Sequence, residues 1–246
     1  MSSTVIEAAG EASALTRLKS AQKSAKGVSL YSRFVNRPAG RYLAAGAYRV
    51  GLTPNQVTLI SAAFSFAAVL TVALARPGWG VGLLVWLGLA VGFAFDSADG
   101  QLARLRGGGS AAGEWLDHVV DCAKLTALHI AVLIAFYRYP EHFGTSSDGW
   151  LLVPLAFQLA AVVTFFGGLL TEKLKPKAAP GQGAGPSTLR AVALLPVDHG
   201  VFCLVFLLLG GGVAFRWAYT GLGVAAALFL AAFLAKWFRE LSVVRR

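Results

Sequence analysis

The sequence predicts an all-α integral membrane protein, a six-transmembrane-helix bundle with an N-terminal interfacial amphipathic helix. Three observations carry this reading. Of 246 residues, 56% are hydrophobic and only 14% are charged, with a mean hydropathy of +0.63, whereas a soluble domain carries nearer a quarter charged residues. The apolar residues are gathered in blocks, most of which reach the ~20 residues needed to cross a ~30 Å hydrocarbon core. The blocks are continuous runs of Leu, Ala, Val and Phe, without the alternation of barrel strands, and lipid admits only helices or closed barrels as spanning forms.

The elements follow in order. Residues 1–27 are polar, with Glu7, Glu11 and several lysines; they lack the apolar core of a secretory signal and read as a mobile cytoplasmic extension. Residues 28–54 read as a juxtamembrane segment, in which "NRPAGRYLAAGAYRVGLTPN" mixes Arg37, Arg41 and Arg49 with Tyr42, Leu43, Tyr48 and Val50. Pro38 suits a helix first turn, and the mixture is that of an amphipathic helix lying in the interface; a tethering linker is the plainer alternative. Residues 55–240 form the transmembrane domain, with apolar blocks at about 55–75, 79–99, 115–137, 150–171, 192–212 and 217–238. The fifth is the weakest, because Pro196, Asp198 and His199 interrupt it near its start. "KPKAAPGQGAGPST" (175–188) reads as a flexible loop. Cys122 and Cys203 lie far apart inside apolar runs, as buried free thiols do.

The net charge of +10 does not mark a nucleic-acid binder, since the basic residues flank hydrophobic segments and are not gathered on a soluble domain. Such flanking residues meet anionic headgroups and bias membrane insertion. Eighteen Lys and Arg lie before the first block, after the second, between the fourth and fifth, and after the sixth; the other loops hold only Arg76, Arg138 and Arg216. This asymmetry assigns both termini to the cytoplasm.

One cytoplasmic segment stands out. "DSADGQLARLRGGGSAAGEWLDHVVD" (96–121) holds five of the chain's twelve acidic residues. On a helix continuing from the second block, Asp96, Asp99, Gly100, Ala103 and Arg104 share one stripe. "GGGS" (107–110) breaks that helix, and Gly113, Asp117 and Asp121 recur every four residues on the next. Two antiparallel helices joined by a short glycine loop turn these stripes toward each other, so four carboxylates converge at one end of the bundle. Four anions that close require compensation. Carboxylate-only ligation suits hard divalent cations such as Mg²⁺ or Mn²⁺, which are commonly bound together with substrate phosphates. Gly100, Ala103 and Gly113 leave room for a ligand against the backbone. Taken singly, the carboxylates also suit solvated neighbours of headgroups, and the small residues suit helix packing. The constellation as a whole describes a metal-dependent site for phosphoryl-group chemistry.

Residues 96–121 read D-x2-D-G-x2-A-R-x8-G-x3-D-x3-D, which resembles the signature of the CDP-alcohol phosphotransferases, integral membrane enzymes of phospholipid synthesis. "TPNQVT" (53–58) resembles the segment that opens the family's first span, and the likeness extends over about residues 37–240. The resemblance implies transfer of a phosphatidyl-type group from a CDP-linked lipid donor, such as CDP-diacylglycerol, to a small polar alcohol acceptor, with release of CMP. It implies that Asp96, Asp99 and Asp117 bind metal, and that Asp121 binds metal or acts as the base on the acceptor hydroxyl. Asp99, Gly100, Ala103 and Gly113 would line the nucleotide site with Arg104 in support. Two cations, Mg²⁺ or Mn²⁺, would neutralise the pyrophosphate and orient the attack. The expected setting is a bacterial cell membrane, with the active site facing the cytoplasm.

The motif leaves the acceptor open. Polar residues inside apolar blocks are costly and mark function, which singles out Lys124, Arg190, Asp198 and His199 as acceptor-binding candidates. Lys124 suits equally a counter-charge to the carboxylates or a contact to an acceptor phosphate. The surplus of positive charge favours a phosphorylated polyol, such as inositol phosphate or glycerol phosphate, over an unphosphorylated alcohol. His129 suits packing as a neutral ring, and Gln158 suits hydrogen bonding between helices. A small transporter is the alternative of a different class, but transporters hold their sites near the midplane on broken helices. A homodimer stays open as an assembly.

Overall fold

The computed structural model describes residues 16–18, 28–145, 147–175 and 187–244. The main helices are α1 (Arg37–Arg49), α2 (Pro54–Leu74), α3 (Trp79–Leu105), α4 (Ala111–Arg138), α5 (Leu152–Leu174), α6 (His199–Val205) and α7 (Gly212–Ser242). No strand occurs among the described residues.

Five stretches are long and apolar enough to cross a membrane: Pro54–Leu74 with 21 residues, Trp79–Leu105 with 27, Ala111–Arg138 with 28, Asp148–Leu174 with 27 and Gly212–Ser242 with 31. At about 1.5 Å per residue even the shortest reaches roughly 30 Å, the thickness of the hydrocarbon core. Leu59, Phe64, Leu70, Leu84, Leu159, Phe166 and Leu228 stay exposed on these helices. So much apolar surface is a liability in water and the proper outer face in lipid. The chain is a helical membrane protein.

Local sequence sets the helix ends. Thr53 caps α2 with Pro54 in its first turn: the Gln56 amide donates to Thr53 Oγ1 at 3.3 Å, and the Thr53 amide donates to Gln56 Oε1 at 2.8 Å. This reciprocal arrangement satisfies two otherwise orphaned donors. The helix from the second apolar block runs on to Leu105 without a break, so the first two aspartates ride on the spanning helix itself. Gly107 and Gly108 then take positive φ of 96° and 133°, a backbone that other residues rarely adopt. Ser110 restarts the chain by capping α4, its Oγ accepting from the Gly113 amide at 3.0 Å.

Small residues fix the crossings. α3 packs along both α1 and α2, α2 also packs on α4, α4 on α5, and α5 on α7. At the α2–α3 crossing Ser61 Oγ donates to the Gly92 carbonyl at 2.8 Å, and a Cβ on Gly92 would lie 2.3 Å from Ser65 Oγ. Deeper in the bundle Phe136, Phe143, Phe157, Phe202, Phe206, Phe215 and Tyr219 form an aromatic core. His129 is part of it, with 1% exposure and Nδ1 2.6 Å from the Tyr219 hydroxyl. Gln158, by contrast, buries its Oε1 without a hydrogen-bond partner among the described residues. Cys203 is buried and Cys122 half-buried, both as free thiols.

The fifth apolar block departs from the expectation of a sixth long helix. It is split into Thr188–Ala193, a 3-10 turn at Leu195–Val197, α6, and a 3-10 stretch at Phe206–Gly210. Pro196 has no amide hydrogen for a continuous ladder, and Asp198 starts a new helix by accepting from the Gly200 and Val201 amides at 2.7 and 3.2 Å. The segment still runs the height of the bundle. Lys175 pairs with Glu240 where α5 and α7 end, while Trp150 meets Trp217 edge-on where they begin. These two helices are therefore parallel, and the broken segment returns the chain between them.

Ahead of the first span, Ser32–Asn36 winds as a π-helix into α1. α1 lays Gly40, Ala44, Ala45 and Ala47 against the bundle and leaves Tyr42 and Tyr48 exposed. Of the expected N-terminal extension, Thr16, Arg17 and Leu18 are described: Leu18 is buried with Ala44, Val57 and Leu102, and Arg17 Nη2 donates to the Leu105 carbonyl at 3.1 Å. The rest of residues 1–27, and most of the loop expected at 175–188, lie outside the described residues.

Candidate active site

The α3–α4 turn brings both aspartate stripes to one end of the bundle. Asp96 from α3 and Asp117 and Asp121 from α4 each offer a carboxylate oxygen, and the three atoms lie within 4.8 Å of one another. Asp99 does not belong to this trio. It is buried, with 6% exposure, and its Oδ2 accepts a 2.6 Å hydrogen bond from Thr58 Oγ1 on α2. Lys124, one turn beyond Asp121, pairs with Asp96, sits 2.8 Å from Asp121 Oδ1, and donates to Ser61 Oγ at 3.3 Å. The Lys124 ammonium thus meets two of the four carboxylates, while the Arg104 guanidinium lies within electrostatic reach of Asp99. An all-oxygen anionic donor set this compact fits a hard divalent cation.

Two cavities meet the carboxylates from different sides. The larger, about 740 Å³, is lined by Asp99, Gly100, Ala103, Arg104, Gly113 and Asp117, among others. Every residue the motif suggested for a nucleotide is therefore on its wall. Gly113 shows why a small residue is needed: a Cβ there would come 2.9 Å from Asn55 Oδ1 and 3.2 Å from Ser110 Oγ. The smaller cavity, about 240 Å³, has Asp96, Asp121, Lys124 and His199 among its walls, which are otherwise mainly apolar.

The acceptor candidates divide. Lys124 and His199 reach the smaller cavity. Asp198 does not: its carboxylate caps α6 and accepts from Ser32 Oγ at 3.0 Å, a structural engagement. Arg190 is exposed on the short helix Thr188–Ala193 and lines neither cavity.

Asn55, Thr58, Ser110 and His118 line the larger cavity, and Ser65 and Phe93 the smaller; sequence reasoning passed them over. A signal existed for the α2 residues. Thr58, Ser61 and Ser65 recur at helical spacing along one face of an otherwise apolar helix, and polar groups at membrane depth are costly enough to be informative. His118 carries no comparable signal. Its Nδ1 is 3.7 Å from Asp117 Oδ2, and its Nε2 is 3.8 Å from Glu114 Oε1.

Fold and site define a helical membrane protein with an acidic, cation-suited centre between two cavities. The chain belongs to the CDP-alcohol phosphatidyltransferase family, which matches residues 51–231. It is 40% identical over 104 residues to the phosphatidylinositol phosphate synthase of Corynebacterium glutamicum, a match covering 40% of this chain and 45% of that protein. It is 30% identical over 143 residues to the CDP-diacylglycerol–serine O-phosphatidyltransferase of Encephalitozoon cuniculi, covering 55% of this chain and 34% of that one. These matches span less than half the length of either relative. Two crystal structures of the Mycobacterium tuberculosis phosphatidylinositol phosphate synthase share the fold. The one with CDP-DAG bound aligns at a TM-score of 0.55 and 22% identity, covering 86% of this chain and 98% of that one. The complex with manganese and citrate aligns at 0.56 and 22%, covering 86% and 93%.

Proposed function

We propose that this chain is a metal-dependent CDP-alcohol phosphatidyltransferase, moving a phosphatidyl-type group from a CDP-linked lipid to the hydroxyl of a small polar acceptor and releasing CMP. The observation that carries the proposal is the placement of a larger and a smaller cavity on either side of one carboxylate cluster. Such a site can hold donor and acceptor at once, with the reacting phosphorus between them.

In this reading the CDP moiety lies in the larger cavity against Gly100, Ala103 and Gly113, with Arg104 at its wall. Asp96, Asp117 and Asp121 hold the divalent cation, Mg²⁺ or Mn²⁺, and Asp99, fixed by Thr58, completes the anionic wall. The cation supplies charge neutralisation at the pyrophosphate and the departing CMP. Asp121 faces the smaller cavity and takes the proton of the acceptor hydroxyl. A bond forms from that oxygen to the donor's lipid-side phosphorus, and the bond from that phosphorus to the CMP oxygen breaks, with the electron pair leaving on CMP. The apolar walls of the smaller cavity keep water from competing as a nucleophile.

For the acceptor, a phosphorylated polyol is the reading favoured by Lys124 and His199 in the smaller cavity, and two relatives are named phosphatidylinositol phosphate synthases. The serine-transferring relative marks the alternative, an unphosphorylated acceptor. Six membrane crossings are proposed, the sixth being the broken segment Thr188–Gly210, with both termini and the site on the cytoplasmic side of a bacterial cell membrane. α1 is proposed to lie in that interface. The deciding experiment incubates purified protein with CDP-diacylglycerol, Mn²⁺ and a panel of alcohols, each with and without its phosphate, and measures CMP. CMP release that depends on a phosphorylated acceptor supports the proposal; no release with any acceptor overturns it.

A further inference from the structure

The end of the bundle away from the carboxylates carries a cavity that the proposed reaction does not use. It measures about 330 Å³ and is lined by Arg76 and Pro77 from the α2–α3 loop and by Arg138, Tyr139 and Glu141 where α4 ends, among others. Arg138 Nη1 donates to the Ala73 and Leu74 carbonyls at 2.7 and 3.2 Å, and its guanidinium lies over the Tyr139 ring at 5.4 Å. The guanidinium is thereby held in place, while its Nε and Nη2 have no hydrogen-bond partner among the described residues. Arg76 is exposed and forms no hydrogen bond or ion pair among the described residues. This is the end of the bundle with few basic residues, yet two of its three arginines share one cavity. The third, Arg216, is buried, donates to the Gly144 carbonyl and lies over the Trp150 ring at 4.1 Å.

Two guanidinium groups in one cavity repel each other and attract an anion between them. Their planar forks match phosphate oxygens. Glu141 on the same wall leaves a net charge of +1 from the two arginines and one glutamate, which suits a singly charged phosphodiester better than a phosphate dianion. The cavity's depth names the source. α4 runs 28 residues from Ala111 to Arg138, roughly 40 Å at about 1.5 Å per residue, so its last residue lies a hydrocarbon core away from the aspartates near its start. That level is the opposite headgroup layer. We propose that this cavity binds the phosphodiester of a phospholipid headgroup, with Arg76 and Arg138 as its ligands. The inference needs only the helical membrane fold and is independent of the reaction proposed above.

The test titrates dioctanoyl phosphatidylglycerol into the full-length protein in a non-ionic detergent and counts bound lipid by native mass spectrometry. Arg76→Gln removes one guanidinium that supports no other contact, so the variant should fold and should bind one lipid about tenfold more weakly than wild type, the effect of losing one charge-assisted contact. Arg239→Gln, which removes a charge at the carboxylate end of α7, should leave the affinity unchanged. Equal affinities for wild type and Arg76→Gln overturn the proposal, and so does an equal loss in Arg239→Gln. Dioctanoylglycerol, with the same chains and no phosphate, should show no difference between wild type and Arg76→Gln; the same tenfold difference there overturns recognition of the phosphate. Inorganic phosphate that displaces the lipid at equal or lower concentration assigns the cavity to a soluble anion and overturns the lipid source.

Discussion

The hydroxyl of Thr58 donates a 2.6 Å hydrogen bond to Oδ2 of Asp99, tying the first spanning helix to the second at the wall of the larger cavity. Asp99 is 6% exposed, so water cannot easily replace this donor. Thr58→Val keeps the shape and removes the hydroxyl. Leaving a buried acceptor short of a partner costs about 1–3 kcal/mol, so the variant should show a lower thermal midpoint and a raised KM for the CDP donor. Thr58→Ser should restore both; unchanged donor KM in Thr58→Val would remove Thr58 from the donor site.

The proposed metal role requires Asp96 and Asp117 as charges. Asp96→Asn and Asp117→Asn are near in shape and lose the anion, so each should abolish CMP release and weaken Mn²⁺ binding. Wild-type activity should vanish in excess chelator and return on adding Mg²⁺ or Mn²⁺. Full activity in chelator sinks the metal assignment.

Asp121 should behave differently if it is the base. Asp121→Asn should lower kcat by about 10²–10⁴-fold, the usual contribution of a positioned general base, while CDP-donor binding measured directly stays within a few-fold of wild type. Equal loss of donor binding would make Asp121 a ligand first.

His199 reports on the acceptor. It reaches the smaller cavity, and its ring meets Phe93 edge-on with centroids 4.9 Å apart. His199→Ala should raise the acceptor KM by about tenfold, the effect of losing one hydrogen bond of ~1.4 kcal/mol, and leave the donor KM unchanged. Arg190→Ala, outside both cavities, should leave both constants unchanged; a selective rise in acceptor KM for Arg190→Ala would show that the acceptor extends beyond the smaller cavity.

Gly92 tests the helix crossing. A Cβ there would meet Ser65 Oγ at 2.3 Å and the Ser61 carbonyl oxygen at 3.1 Å. Gly92→Ala should therefore lower stability by about 1–3 kcal/mol, as overpacking does, visible as a lower thermal midpoint in detergent. The double variant Gly92→Ala with Ser65→Ala should recover part of the loss; no recovery would mean the strain lies in the backbone contact.

The sequence by itself determined the solvent of this protein and the acidic donor set of its candidate site. Apolar blocks of bilayer length leave helices as the one economical way to satisfy the backbone in lipid. The glycine break between two aspartate stripes at helical period brings Asp96, Asp117 and Asp121 together wherever the turn sets those stripes face to face across the end of the bundle. Both are local properties, fixed by period and composition. Only the tertiary structure decided what depends on neighbours from elsewhere in the chain. It placed Thr58 against Asp99 and Asn55 against Gly113, since a stripe on α2 says nothing of which helix will face it. It turned the fifth apolar block into a broken segment, because the cap at Asp198 and the missing amide at Pro196 outweigh hydrophobicity where surrounding helices shield the exposed backbone. It also separated His199, whose ring reaches the smaller cavity, from Asp198, whose carboxylate is spent on capping, although the two adjoin in sequence. Adjacent residues on a helix point about 100° apart, and only packing decides which direction holds the site.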